Sequence, residues 1–289
     1  MSQVDENRTA SSDKTDAAPP ALPAGIVRVG KDVLAAHRLM TPELASCCAL
    51  DSAAASADAH PFTPDNPVEI AAFDFDGTSI TGNSPVMLVR HLVSKGMLSK
   101  STVARILVWG VAYKTRLPQN ESWVRGLVFS AFRGKPVSEV NAFLHRFYDR
   151  HVAARFRTRI DEEMTRHVDA GHVVVCVSAT FEPIIAKAML DHPMQFGIAT
   201  RMRIDEDGCY TNEVDGVPVE GPQKMVALTR FADATFGRGC WKLGWAYGDH
   251  HSDRALLAAA EHAFAVTPDR PLTRTANERG YEILDWGEL

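Results

Sequence analysis

The five cysteines, Cys47, Cys48, Cys176, Cys209 and Cys240, form no Cys-x-x-Cys pair and follow no regular spacing. That excludes a zinc-ribbon site and a disulfide framework. Cys176 lies within an apolar run, the usual place of a small buried thiol. A basic excess is also missing. With 31 Lys and Arg against 36 Asp and Glu, the net charge of −5 argues against a dedicated nucleic-acid binder. The sharpest basic stretch, HRFYDRHVAARFRTRI from His145 to Ile160, reads as a solvated helix face. Attraction of an anionic substrate is the alternative reading. Long hydrophobic runs are absent as well. The longest in the first half, ILVWGVAY from Ile106 to Tyr113, is far too short to cross a bilayer. The first residues are polar and acidic without an apolar signal core. The expectation is a cytoplasmic, reduced chain with no membrane span and no nucleic-acid partner. No internal repeat is evident.

What is present is a chain whose 45% hydrophobic content over 289 residues suits one large domain, or a core with a smaller partner. Residues 1–65 read as a tail, too poor in apolar surface to offset the entropy of ordering. It has room for one short helix at Lys31–Met40. The pattern changes at Val68. VEIAAF, Val68–Phe73, is a continuous apolar run of buried-strand type. From Ser84 to about Asp169 the chain reads as mostly helical, in the segments 84–96, 99–115, 120–132 and 136–152. The last three carry Ser, Asn or Pro near their starts. His172–Ser178 is a second buried strand, and Glu182–Asp191 a helix. Arg201–Val214 reads as a hairpin turning at Asp207-Gly208. A helix over Pro222–Phe236, a strand over Lys242–Asp249, a helix over Asp253–Glu261 and a strand over Ala263–Val266 complete the pattern.

Alternating strands and helices predict an α/β fold with a Rossmann-like parallel sheet covered on both faces. The helical block after the first strand is too long for one crossover and predicts an inserted helical cap domain. The expected division is a core over 66–82 and 156–289, with the cap over 83–155.

In such a sheet, chemistry gathers at the carboxyl ends of the strands. Three predicted strands end there in polar residues: Asp74-Phe75-Asp76-Gly77-Thr78, Ser178-Ala179-Thr180 and Gly248-Asp249-His250-His251-Ser252-Asp253. Lys224 lies at the start of an intervening helix. Asp74 and Asp76 share one face of their strand. Two like charges held that close call for a compensating cation or a shared proton. With Asp249 adding charge, a divalent cation is the expected answer.

This ordered set resembles the haloacid dehalogenase superfamily, especially its branch with a helical cap after the first motif, which includes phosphoserine phosphatases. The resemblance spans about residues 68–287. It implies a phosphatase acting on a small phosphorylated metabolite. Asp74 would be the nucleophile that forms an aspartyl-phosphate, and Asp76 the general acid and then base. Ser178 and Lys224 would hold the phosphoryl group, with Thr78 and Ala179 beside it. Mg²⁺ is the implied ion, held by the Asp74 carboxylate, the Asp76 backbone carbonyl and Asp249. Asp253 would be a further ligand, a support behind the ligands, or a helix cap. A phosphotransferase of the same fold and a retired binding module are the alternatives to hydrolysis.

Two features depart from the resembled pattern. Asn83 stands where phosphoserine phosphatases place a glutamate that holds the substrate amine, and Arg125 or Arg133 would have to serve the substrate carboxylate. Asp249-His250-His251 raises a second question. It could mark a manganese phosphoesterase of another family, for which the further acidic motifs are missing, or a His-rich site for a softer ion. The apolar segment around Ile106–Tyr113 packs within the cap, or lines a wall for an apolar phosphate ester.

Overall fold

The computed structural model describes residues 63–99, 101–106, 126 and 128–287. In it the apolar run Val68–Phe73 is strand β1, with every residue buried except the half-buried Glu69. In chain order the further elements are helices α1 (Ser84–Ser94), α2 (Val137–His151) and α3 (Thr158–Asp169), then β2 (Val173–Phe181) and α4 (Glu182–Asp191). There follow β3 (Phe196–Thr200), β4 (Met202–Ile204), β5 (Tyr210–Val214), α5 (Pro222–Phe236) and β6 (Trp241–Gly248). The chain ends with α6 (Arg254–Ala259), β7 (His262–Val266), α7 (Arg270–Arg279) and β8 (Glu282–Leu284).

Six of the strands form one parallel sheet in the order β3-β2-β1-β6-β7-β8. β1 is flanked on both sides, which is why its sequence reads as a nearly unbroken apolar run. Its side chains alternate between two cores. Val68, Ile70 and Ala72 face Leu228 and Phe231 of α5, Leu256 and Leu257 of α6, and Leu272 of α7. Ala71 and Phe73 face the layer built by α1 to α4, with Leu88, Leu144, Ile160 and Ile184 in the same cluster. The Phe73 and Tyr247 rings stack at 4.2 Å across β1 and β6. Four helices, α1, α4, α5 and α7, carry proline in their first turn. There the fixed φ is already helical and the missing N–H would have had no partner.

The long excursion between β1 and β2 leaves and returns through adjacent backbone. Thr81 N–H donates to Arg155 O at 2.8 Å, and Arg157 N–H to Ser79 O at 3.0 Å. The predicted hairpin forms as β4 and β5, antiparallel, with Gly208 at φ 73° in its turn. It docks on the start of α2, where Tyr210 N–H donates to Lys135 O and the Tyr210 hydroxyl to Asn141 Oδ1.

Two strands, β3 and β8, are not among those expected from the sequence; both are short. β2 also runs past Ser178 to Phe181. Outside the described residues lie most of the tail, its helix at Lys31–Met40, Arg125, and most of the segments 99–115 and 120–132. No described helix is long and apolar enough to cross a membrane.

Candidate active site

Asp74 is the first residue beyond β1, and its backbone is held on both sides. Its N–H donates to Tyr247 O of β6 at 2.9 Å, and its carbonyl accepts from Ser79 Oγ at 2.6 Å. The loop then curls back on itself, with Ser79 and Ile80 N–H both donating to Phe75 O. Gly77 makes that curl possible. Its φ is +86°, and a Cβ there would stand 2.0 Å from Asp249 Oδ2. Both the backbone angle and the space demand glycine.

Lys224 reaches this loop from the first turn of α5. Its buried Nζ lies 2.5 Å from Asp74 Oδ1 and 2.6 Å from Asp253 Oδ1. Thr78 Oγ1 lies 3.3 Å from Asp74 Oδ2 and 3.2 Å from Asp249 Oδ1. Asp74, Asp249 and Asp253 each bring a carboxylate oxygen within 4.8 Å of the others. Sequence positions 74, 224, 249 and 253 therefore meet in one place, the carboxyl end of the central strands.

The charges in this cluster do not balance. Burial pushes the Asp74 carboxyl up to about 6, against the pull of Lys224. Asp249 is pushed up to about 9, by burial first and then by Asp74 and Asp253. Burial alone would lower the Lys224 ammonium, but Asp253 and Asp74 carry it well above its ordinary value. One ammonium thus faces three carboxylates. The donor set is all oxygen, which fits a hard divalent cation such as Mg²⁺, and a second positive charge is what Asp249 lacks.

Asp76 takes a different hydrogen-bond partner. Its Oδ1 accepts from Ser84 N–H at 2.5 Å, at the start of α1. Burial pushes this carboxyl up to about 7, opposed by that hydrogen bond. Ser84 Oγ in turn meets Thr180 Oγ1 at 2.6 Å. Ser178, Ala179 and Thr180 sit where the pairing of β2 with β3 jumps from Ser178↔Ala199 to Phe181↔Thr200. This bulge puts Ser178 inside β2, not at its end, and frees the backbone of Ala179 and Thr180 from the regular ladder. Buried Ser178 Oγ accepts from Thr180 N–H at 3.0 Å, so its own hydroxyl proton can still be donated.

Asp253 makes no side-chain cap on α6. Its Oδ2 accepts instead from His250 N–H at 3.2 Å, closing the turn that carries Asp249. The expected alternative of a cap on α6 itself is thereby corrected: the Asp253 side chain caps the short turn His251–Asp253 that leads into α6, and braces the lysine. Asn83, by contrast, does cap a helix, accepting from Val86 N–H at 3.0 Å at the start of α1.

Ser84, Ser79 and Arg157 are site residues that sequence reasoning missed. Arg157 is buried and ties Gly77 O, at 3.3 Å, to Gly287 O near the chain's end. Ser84 carried one readable signal, its place just before a helix-starting proline. Nothing in the sequence pattern pointed to the other two.

Residues 71–258 match the profile of haloacid dehalogenase-like hydrolases. The chain belongs to that family. It is 30% identical over 234 residues to the "inhibition of morphological differentiation protein" of Streptomyces azureus, covering 76% of this chain and 79% of that one. It is 27% identical over 242 residues to a phosphoserine phosphatase of Mycobacterium tuberculosis, covering 81% and 75%. A Bordetella pertussis protein of unknown function has the same fold, at a TM-score of 0.69 and 21% identity over 76% of this chain and 100% of that one. The family, the phosphatase-like branch, the enzyme class and the α/β core expected from the motifs are thereby borne out.

Proposed function

We propose that this hydrolase is a Mg²⁺-dependent phosphatase for a small phosphate monoester, working through an aspartyl-phosphate on Asp74. The observation that carries the reading is the meeting of Asp74 with Lys224 at 2.5 Å inside a buried cluster completed by Asp249 and Asp253. Phosphate monoesters resist hydrolysis so strongly that enzymes accelerate it by up to ~10²¹-fold. Splitting the reaction into two displacements lowers each barrier.

Asp74, kept largely ionised by Lys224, attacks phosphorus as the bond from phosphorus to the ester oxygen breaks. Asp76, whose carboxyl sits near neutrality, gives its proton to the leaving alkoxide. The same carboxylate then takes a proton from water as that water attacks phosphorus. The bond between phosphorus and Asp74 breaks, inorganic phosphate leaves, and Asp76 is again protonated. Lys224, the Ser178 hydroxyl and the Ala179 N–H at the β2 bulge face the negative charge of the phosphoryl oxygens. Mg²⁺, held by Asp74, Asp249 and the Asp76 carbonyl, would offset charge on the phosphoryl group and on the acids themselves. Thr78 fixes the angle between Asp74 and Asp249.

Residues 83–155 serve in this reading as the cap over the site, its boundaries at the paired backbone of Thr81 and Arg155. Phosphoserine is not the favoured substrate. Asn83, at the position of the amine-binding glutamate, spends its side-chain oxygen on capping α1. Phosphate release from an aryl phosphate, with and without Mg²⁺, tests the proposal for wild type and Asp74→Asn. Equal rates in the two proteins would end it.

A further inference from the structure

Immediately beyond Asp249, a second group of side chains converges that the phosphatase reading leaves unused. His250 Nε2 lies 3.4 Å from Asp269 Oδ2, and His251 Nδ1 lies 3.3 Å from the same oxygen. One ligand atom from each of the three residues falls within 4.8 Å of the others. The two imidazole rings are 4.1 Å apart between centroids. Zinc–nitrogen and zinc–oxygen bonds of 2.0–2.2 Å at tetrahedral angles put ligand atoms about 3.3–3.5 Å apart, so both measured spacings suit one shared ion.

We propose that His250, His251 and Asp269 form a site for a borderline transition-metal ion, Zn²⁺ or Co²⁺ in kind, distinct from the all-oxygen site of Asp74, Asp249 and Asp253. Two imidazoles and one carboxylate are the donors such ions prefer and Mg²⁺ does not. Asp269 is set for the task because its other oxygen, Oδ1, is spent on Leu272 N–H at the start of α7. His250 Nδ1 lies 3.1 Å from Ser252 Oγ, which can accept its proton and leave Nε2 free for metal. That tautomer gives up a 3.3 Å contact from Ser252 N–H. All three side chains are partly exposed, so an ion enters from solvent and keeps a coordination position open. Asp269 N–H also donates to Asp249 O at 2.8 Å. An ion bound here therefore ties the N-cap of α7 to the loop that carries Asp249.

The test uses the full chain, stripped of transition metals and held in excess Mg²⁺ so that the carboxylate site is satisfied. Co²⁺ is then titrated while its visible ligand-field absorption and the binding heat are followed. The expected result is one tightly bound Co²⁺ per chain that Zn²⁺ displaces. His251→Ala and Asp269→Asn should each weaken it by at least about tenfold. His91→Ala removes one ring of a separate imidazole pair, His91 Nδ1 and His151 Nε2 at 3.0 Å, and should change nothing. Asn at 269 can still cap α7, so that variant keeps its fold, and thermal unfolding confirms it. No Co²⁺ binding, unchanged binding in both site variants, or loss only in His91→Ala would overturn the proposal.

Discussion

A single methyl group added at position 77 should separate catalysis from stability. In Gly77→Ala the new Cβ would stand 2.0 Å from Asp249 Oδ2, 2.5 Å from its Cγ and 2.9 Å from Oδ1. An ordinary contact is about 3.5 Å, so the Asp249 carboxylate must retreat by about 1.5 Å or the loop must move as far. A misplacement near 1 Å in a reacting constellation costs about 10²-fold in rate. The positive φ adds strain of roughly 1–2 kcal/mol, which a chain of this size registers as a fall of only a few degrees in Tm. The assay is aryl phosphate hydrolysis across a Mg²⁺ titration, run beside thermal unfolding. Gly77→Ala should lose about 100-fold in kcat/KM and need more Mg²⁺, while unfolding cooperatively. Wild-type turnover with an unchanged Mg²⁺ requirement would refute the idea that Asp249 is held against Gly77 for catalysis.

Other consequences concern the surroundings of the site. Lys224→Met leaves Asp74 and Asp253 buried without their ammonium and should cost about 3 kcal/mol or more in denaturant unfolding as well as nearly all activity. Ser84→Ala removes the 2.6 Å contact with Thr180, and should cost about 1 kcal/mol. It should spare much of the turnover, because Asp76 is held by the Ser84 backbone; a loss as deep as that of Asp76→Asn would contradict this. Away from the site, burial lowers the His167 imidazole to about 4 from 6.5, with His172 and Arg166 adding to the fall. The unfolded chain therefore binds the extra proton first, so stability is full above pH 6.5, declines as pH falls toward 4 and levels off below. The span is at most about 3 kcal/mol, and His167→Gln should flatten that part of the profile in chemical denaturation. An identical profile in the variant would show that His167 is not the group responsible.

How much of this was legible in the sequence depended on which features are local. The β1 run ending in Asp74-Phe75-Asp76-Gly77-Thr78, the second strand and the Asp207-Gly208 turn each declare themselves within a few residues; the parallel sheet realises the first two and the β4-β5 hairpin the third. Order along the chain was enough to bring Lys224 and Asp249 to Asp74, because parallel strands place all their carboxyl ends on one edge. What stayed hidden needed pairing that sequence does not print. The bulge of β2 is set by where β3 aligns beside it; β3, Phe-Gly-Ile-Ala-Thr, has its apolar run broken by a glycine, and β8 has only three residues. Arg157 is bound through backbone carbonyls of distant segments, which any residue type offers. The role of Asp253 was ambiguous for a similar reason: an acid before a helix reads as a cap until the lysine across from it is known.

The central claim is that the Asp74 carboxylate itself carries the phosphoryl group between substrate and water. Rapid acid quenching of enzyme turning over an aryl phosphate, followed by digestion and peptide mass analysis, addresses it directly. The account predicts a phosphoryl adduct on the peptide bearing Asp74 in wild type, more of it in Asp76→Asn, where hydrolysis of the intermediate is slowed, and none in Asp74→Asn. An adduct on another residue, or sustained turnover by Asp74→Asn, would contradict it.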